Sequence, residues 1–206
     1  MTMVSLIKEP KSVSDMVFCD AYTEKRITQY AEGKRKHNII LYGPMGTGKS
    51  ATAKVIADSV RKNGIFDYPT QVYNGADFDE TTLKKIERDF DFQRNADAAY
   101  VVIDEVDRLT ATQQVKLRAF LDNTKIGHII MTTNNIHNID APLSDRCDVI
   151  EFPAIDAEQW RSKIKEWLDE EGIKATKRQI DAIIETSNGT VRDLIYGVTD
   201  IVLENK

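Results

Sequence analysis

Residues 38–60 read NIILYGPMGTGKSATAKVIADSV, and three kinds of backbone follow one another in them. Asn38 to Tyr42 is a short run of bulky apolar residues without polar alternation, which predicts a strand covered on both faces. Gly43, Gly46 and Gly48 then interrupt any regular pattern, and from Lys49 the stretch KSATAKVIADSVRKNG takes up helical spacing. A strand, a glycine-rich loop and a helix in immediate succession are the start of an α/β unit.

The loop itself, Gly43 to Ser50, fits G-x-x-x-x-G-K-[ST] at every position. Its glycines let successive backbone N–H groups turn inward around phosphates, and the helix that follows adds the positive end of its dipole. Lys49 is the residue to reach the β- and γ-phosphates, and the Ser50 hydroxyl is a ligand for Mg²⁺. The expected nucleotide contacts are therefore Gly43, Pro44, Met45, Gly46, Thr47, Gly48, Lys49, Ser50 and Ala51. An ordinary glycine-rich turn is the alternative, but it has no need of this strand before it and this helix after it.

Outward from the loop, short apolar runs recur at TQVY (70–73), AYVVID (99–104), HIIMTT (128–133) and DVIEF (148–152), separated by helical patterns. Together with NIILY they predict a five-stranded parallel sheet flanked by helices, over residues 1–153. After Pro153 the strand signals stop. Asp156, Thr176 and Thr190 are positioned to cap three amphipathic helices, so residues 154–206 read as a small three-helix lid with breaks at Gly172 and Gly189. Their apolar stripes are Trp160, Ile164, Trp167 and Leu168; Ile180, Ile183 and Ile184; and Val191, Leu194, Ile195, Val198, Ile201 and Val202.

The run AAYVVIDEVDRL delivers Asp104 and Glu105 to the C-terminal end of an apolar strand, where ligands bind in open α/β folds. Beside a phosphate loop, Asp104 is the expected holder of Mg²⁺, directly or through water, and Glu105 the expected general base for an attacking water. On its own the pair would read as a charged strand end entering solvent.

Bulk composition narrows the remaining choices. The 206 residues carry 28 basic and 33 acidic side chains, a net charge of −5, so no overall positive field draws nucleic acid from a distance. Cys19 and Cys147 stand far apart and the three histidines lack ligand spacing, which argues against a disulfide framework or a zinc site. No apolar run approaches the roughly 18 residues of a membrane span and no secretory signal is visible, so the expectation is a cytoplasmic protein with no membrane partner.

Over nearly its whole length the sequence resembles the AAA+ ATPases, and within them the small motor subunit of a sliding-clamp loader, including the bacteriophage type. EPKSVSDMV (9–17) is similar to the family's entry segment against the adenine, which implies Met16 and Val17 as base contacts; Glu9 stands where the family has arginine. HIIMTTNNIHNIDAPLSDRC (128–147) resembles the stretch from sensor 1 to the clamp loaders' Ser-Arg-Cys motif, implying Asn134 as the sensor and Arg146 as an arginine finger, with Asp145 in place of the serine. NGTVRDLI (188–195) resembles the sensor 2 helix and implies a nucleotide-sensing role for Arg192. Read without the resemblance, Asn134 is a turn residue, Arg192 a solvated helix charge, and Arg146 one half of an ion pair with Asp145 or Asp148.

What the resemblance implies is a Mg²⁺- and ATP-dependent motor that works as a homo- or hetero-oligomer with other clamp-loader subunits, opens a sliding clamp and closes on primer–template DNA. Candidate DNA contacts are Thr81, Thr82, Lys84 and Lys85 on DETTLKKIERDF, and Lys116 and Arg118 on TATQQVKLRAF; solvated surface charge reads equally well beside Asp77, Asp79 and Glu80. The helical collar domain of familiar clamp-loader subunits would lie beyond Lys206, so either the sequence is a shortened chain or assembly runs through AAA+ contacts and partner chains. Two other functions fit the same motifs: another AAA+ replication or remodelling ATPase such as a helicase loader, and an ATP-gated scaffold that scarcely hydrolyses.

Overall fold

The computed structural model describes residues 9–62, 69–92, 99–124, 127–187 and 190–205; the break expected at Gly189 lies outside them. Five parallel strands form one sheet: β1 (Asn38–Tyr42), β2 (Val72–Asn74), β3 (Ala99–Asp104), β4 (Gly127–Thr133) and β5 (Cys147–Glu151), in the spatial order β2-β3-β4-β1-β5. The expected α/β sheet is present, with β2 shifted toward Asn74. Its Val72 is 53% exposed because β2 is an edge strand that packs less fully than the central ones.

Side chains alternate across the sheet, so the two faces bury different halves of each strand. Ile39, Leu41, Val102 and Ile130 meet α1 (Ala21–Ala31) and α2 (Lys49–Lys62) through Ile27, Tyr30, Ala53 and Ile56. On the other face Ile40, Val101, Ile103, Ile129 and Met131 meet α3 (Glu80–Phe92) and α4 (Ala111–Asn123) through Ile86, Phe90 and Leu117. The short α5 (Ala141–Ser144) leads into β5 and adds Leu143 to this second core. A polar cluster ties α1 to β5: Tyr30 donates to Asp148 at 2.7 Å, and Arg26 pairs with the same carboxylate.

Beyond β5 the helices α6 (Ala157–Glu170), α7 (Lys177–Thr186) and α8 (Val191–Glu204) bury a third cluster around Trp160, Ile164, Leu168, Ile180, Ile183, Leu194, Val198 and Val202. All three expected caps form: Asp156, Thr176 and Thr190 accept from the backbone N–H groups of Glu158, Gln179 and Asp193. Val17 and Cys19 from the entry segment pack against the same cluster, so the N-terminal stretch reaches the three helices. Among the described residues no helix is long and apolar enough to cross a membrane.

Candidate functional site

The sheet order sets β1 and β3 on either side of β4, and their C-terminal ends meet above one cavity of about 420 Å³. Met45, Gly46, Gly48, Lys49, Ser50 and Ala51 line it from the loop and α2; Asp104, Glu105, Thr132 and Asn134 from the strand ends; Val191, Arg192 and Ile195 from α8. Ten of the residues expected from sequence therefore share one cavity. Gly43, Pro44 and Thr47 form the back of the loop instead: the buried Lys49 ammonium donates to the carbonyls of Gly43 at 3.0 Å and Pro44 at 2.6 Å, and Thr47 donates to Pro44 at 3.0 Å. Burial lowers the Lys49 pKa from the usual lysine range, opposed by the negative charges of Asp104 and Asp107.

The Asp104 carboxylate and the Glu105 backbone are held by one hydroxyl that sequence reading does not single out. Thr132 donates to Asp104 Oδ1 and accepts the backbone N–H of Glu105 at 3.2 Å. Ser50 donates to the same Asp104 oxygen at 2.7 Å, so the hydroxyl and the carboxylate expected to share a metal ion are already in contact. Hard oxygen donors of this kind suit Mg²⁺. The only available signal for Thr132 is a pair of threonines ending an otherwise apolar strand; its role depends on the parallel pairing of β3 with β4.

Glu105 sits in the left-handed region, φ 55° and ψ 48°, the only non-glycine residue with positive φ among those described. Such a backbone costs about 1–3 kcal/mol and persists only where its surroundings enforce it. Here Thr132 holds the N–H, Arg108 lies 3.8 Å from the carboxylate, and Gly75 is pressed against the carbonyl. A Cβ on Gly75 would fall 2.2 Å from the Glu105 oxygen, so Gly75→Ala is expected to destabilise the fold by about 1–3 kcal/mol. The same substitution should lower kcat for ATP while leaving KM within a few-fold, because the phosphate loop is untouched; thermal melts and steady-state kinetics check both halves.

Asn134 is exposed on the cavity rim, and the turn after β4 is closed by its neighbour: Asn135 accepts from the His137 N–H at 3.1 Å, while its own N–H goes to Thr133 at 3.0 Å. The turn-forming work is thus done by Asn135, and Asn134 faces the cavity. Arg192, exposed on the first turn of α8, also lines it. That helix is seated on the phosphate loop, since the Val191 N–H donates to the Gly46 carbonyl at 2.8 Å. Gly46, at φ 78°, has no room for a side chain: a Cβ would stand 2.6 Å from the Thr190 Cβ.

Met16 and Val17 lie on opposite sides of the entry segment's path. Met16 accepts from Thr52 at 3.5 Å behind the loop, whereas Val17 packs on the α6–α8 cluster; neither lines the cavity. Glu9 pairs with Lys54 of α2 at 2.7 Å.

Arg146 also lies outside the cavity. It is ion-paired, but with neither Asp145 nor Asp148: its partner is Asp122 on α4, at 2.6 Å, while Asp148 is taken by Arg26 and Tyr30. The candidate DNA contacts separate as well. Thr82 is 4% exposed and turned to Asp79, which removes it as a phosphate contact. Thr81 also donates to Asp79, Lys116 pairs with Glu80, and Arg118 pairs with Asp140 at 3.0 Å; Lys84 and Lys85 are exposed.

Residues 39–154 match the family model described as ATPase family associated with various cellular activities (AAA). Among curated proteins, replication factor C subunit 4 of Encephalitozoon cuniculi is 27% identical over 189 residues, covering 89% of this chain and 60% of that protein. The replication factor C small subunit of Methanococcus maripaludis is 30% identical over 182 residues, 83% of this chain and 56% of that protein. The chain thus spans somewhat over half the length of these relatives. Among solved structures, the Thermotoga maritima RuvB Holliday junction branch migration motor superposes with a TM-score of 0.75 at 19% identity, covering 95% of this chain and 71% of that one, a likeness of fold.

Proposed function

The chain belongs to the AAA family of ATPases, and from that premise we propose that it hydrolyses Mg²⁺–ATP as one motor unit of an oligomeric clamp loader acting on primer–template DNA. The observation that carries the hydrolytic half is the convergence of Lys49, Ser50, Asp104, Glu105 and Asn134 on one cavity, with Arg192 closing it from α8. The clamp-loading half rests on the replication factor C relatives and on the Arg-Cys pair that opens into β5.

The residues divide the work by their chemistry. Backbone N–H groups of the loop and the N-terminus of α2 bind the phosphates, and Lys49, held by the Gly43 and Pro44 carbonyls, supplies a positive charge. Ser50 and Asp104 would hold Mg²⁺, which would supply positive charge to offset that of the phosphates. Glu105 accepts a proton from the attacking water, and Asn134 orients that water toward the γ-phosphate. Arg192 reads the nucleotide from the 154–206 lid, and Met16 and Val17 would border the base where the entry segment runs between loop and lid. Arg146 completes the site of a neighbouring chain.

The test is ATP turnover with and without primer–template DNA and the clamp from the same source. Clear stimulation by the two together is expected. Turnover indifferent to both would favour another AAA replication or remodelling ATPase.

A further inference from the structure

The Arg146 guanidinium is oriented before any neighbour arrives. Asp122, on the last turn of α4, grips it with both carboxylate oxygens: Nε donates to Oδ1 at 2.6 Å and Nη2 to Oδ2 at 2.9 Å. Nη1 donates to the Pro142 carbonyl on α5 at 2.6 Å. A guanidinium has five N–H donors, so these contacts leave two, one on each terminal nitrogen. Those two form a fork suited to a pair of phosphate oxygens. A long side chain on a surface turn would otherwise sample many rotamers, and most would point the fork elsewhere.

We propose that Asp122 is the positioning residue for Arg146, a brace that holds the guanidinium extended from the α5–β5 turn with its outer fork free for the nucleotide of a neighbouring chain. The inference rests on the reading of Arg146 as the residue that completes a neighbour's site. It differs from a latch that parks Arg146 out of use, because a latch would occupy the outer fork and this contact leaves it open. The pairing also holds the Asp122 carboxyl below and the Arg146 guanidinium above their ordinary pKa values, each through the hydrogen bond to the other.

The test uses two chains mixed in the presence of primer–template DNA and clamp. The donor carries Lys49→Ala, so its own site is silent but its Arg146 is intact. The acceptor carries Arg146→Ala with an intact site. Turnover in the mixture, well above that of either chain alone, is the starting expectation. Asp122→Ala placed in the donor should then lower kcat about tenfold or more with KM for ATP unchanged, since a small misplacement of a positioned group can cost 10²-fold. Asp122→Glu in the donor should recover part of the loss. In the acceptor, where Arg146 is already gone, Asp122→Ala should add no further loss.

Equal losses from donor and acceptor would assign Asp122 to the fold and overturn the proposal, and a faster mixture with the donor substitution would make it a latch. A mixture with intact Asp122 that is no faster than its separate chains is a different failure: Arg146 would not act across chains, and the role of Asp122 would fall with it.

Discussion

ATP turnover per chain is expected to climb as protein concentration is raised over several decades at saturating Mg²⁺–ATP, and Arg146→Ala to flatten that climb, with a loss on the order of 10³-fold at the top of the range. The physical ground is the distance between Arg146 and its own cavity: the side chain, 35% exposed, projects beside α4 and lines no part of the nucleotide site. A charge that stabilises a transition state must approach the phosphates, and from outside its own cavity Arg146 is expected to reach those of another chain. Guanidinium suits the task because it stays charged and meets two oxygens at once. A flat but appreciable rate would mean that each chain hydrolyses alone and that Arg146 serves only its ion pair. A flat rate near zero would point to partner chains that the isolated protein lacks.

Residues whose chemistry lies within one local stretch and residues whose partners only the fold supplies differ in how legible they are from sequence. The phosphate loop is legible because all its chemistry lies within Gly43 to Ser50, and β1 and β3 match their apolar runs residue for residue. The ends of α6, α7 and α8 are legible because a single side chain, Asp156, Thr176 or Thr190, creates each start. By contrast, α1 buries Thr23, Ile27, Tyr30 and Ala31, too mixed a set to show as an apolar stripe. Thr132 gains its role only when the sheet brings β4 beside β3, and Asp122 meets Arg146 across two elements 24 residues apart. Spacing along a chain reports what neighbours do within one turn or strand; it carries no information on which carboxylate a distant arginine will find. The alternative pairing of Arg146 with Asp145 or Asp148 is absent for that reason, since Asp148 is drawn inward to Tyr30 and Arg26.

Glu105→Gln should reduce kcat by roughly 10² to 10⁴-fold, the range for loss of a positioned general base, while KM for ATP stays within a few-fold of the parent value. The substitution keeps the size and reach of the side chain and removes only its capacity to accept a proton. Nothing in the phosphate loop depends on that charge: Lys49 is held by the Gly43 and Pro44 carbonyls and Ser50 by Asp104. The backbone should be undisturbed too, because the left-handed conformation of Glu105 is enforced through its N–H by Thr132 and at its carbonyl by the closeness of Gly75. A variant that binds nucleotide and melts at the parent temperature but turns over at the parent rate would remove Glu105 as the base. A protein built merely to assemble on ATP has no reason to maintain a strained backbone at Glu105, at a cost of about 1–3 kcal/mol. On the reading of Glu105 as the base, the left-handed backbone serves to hold its side chain at the cavity before the reaction begins.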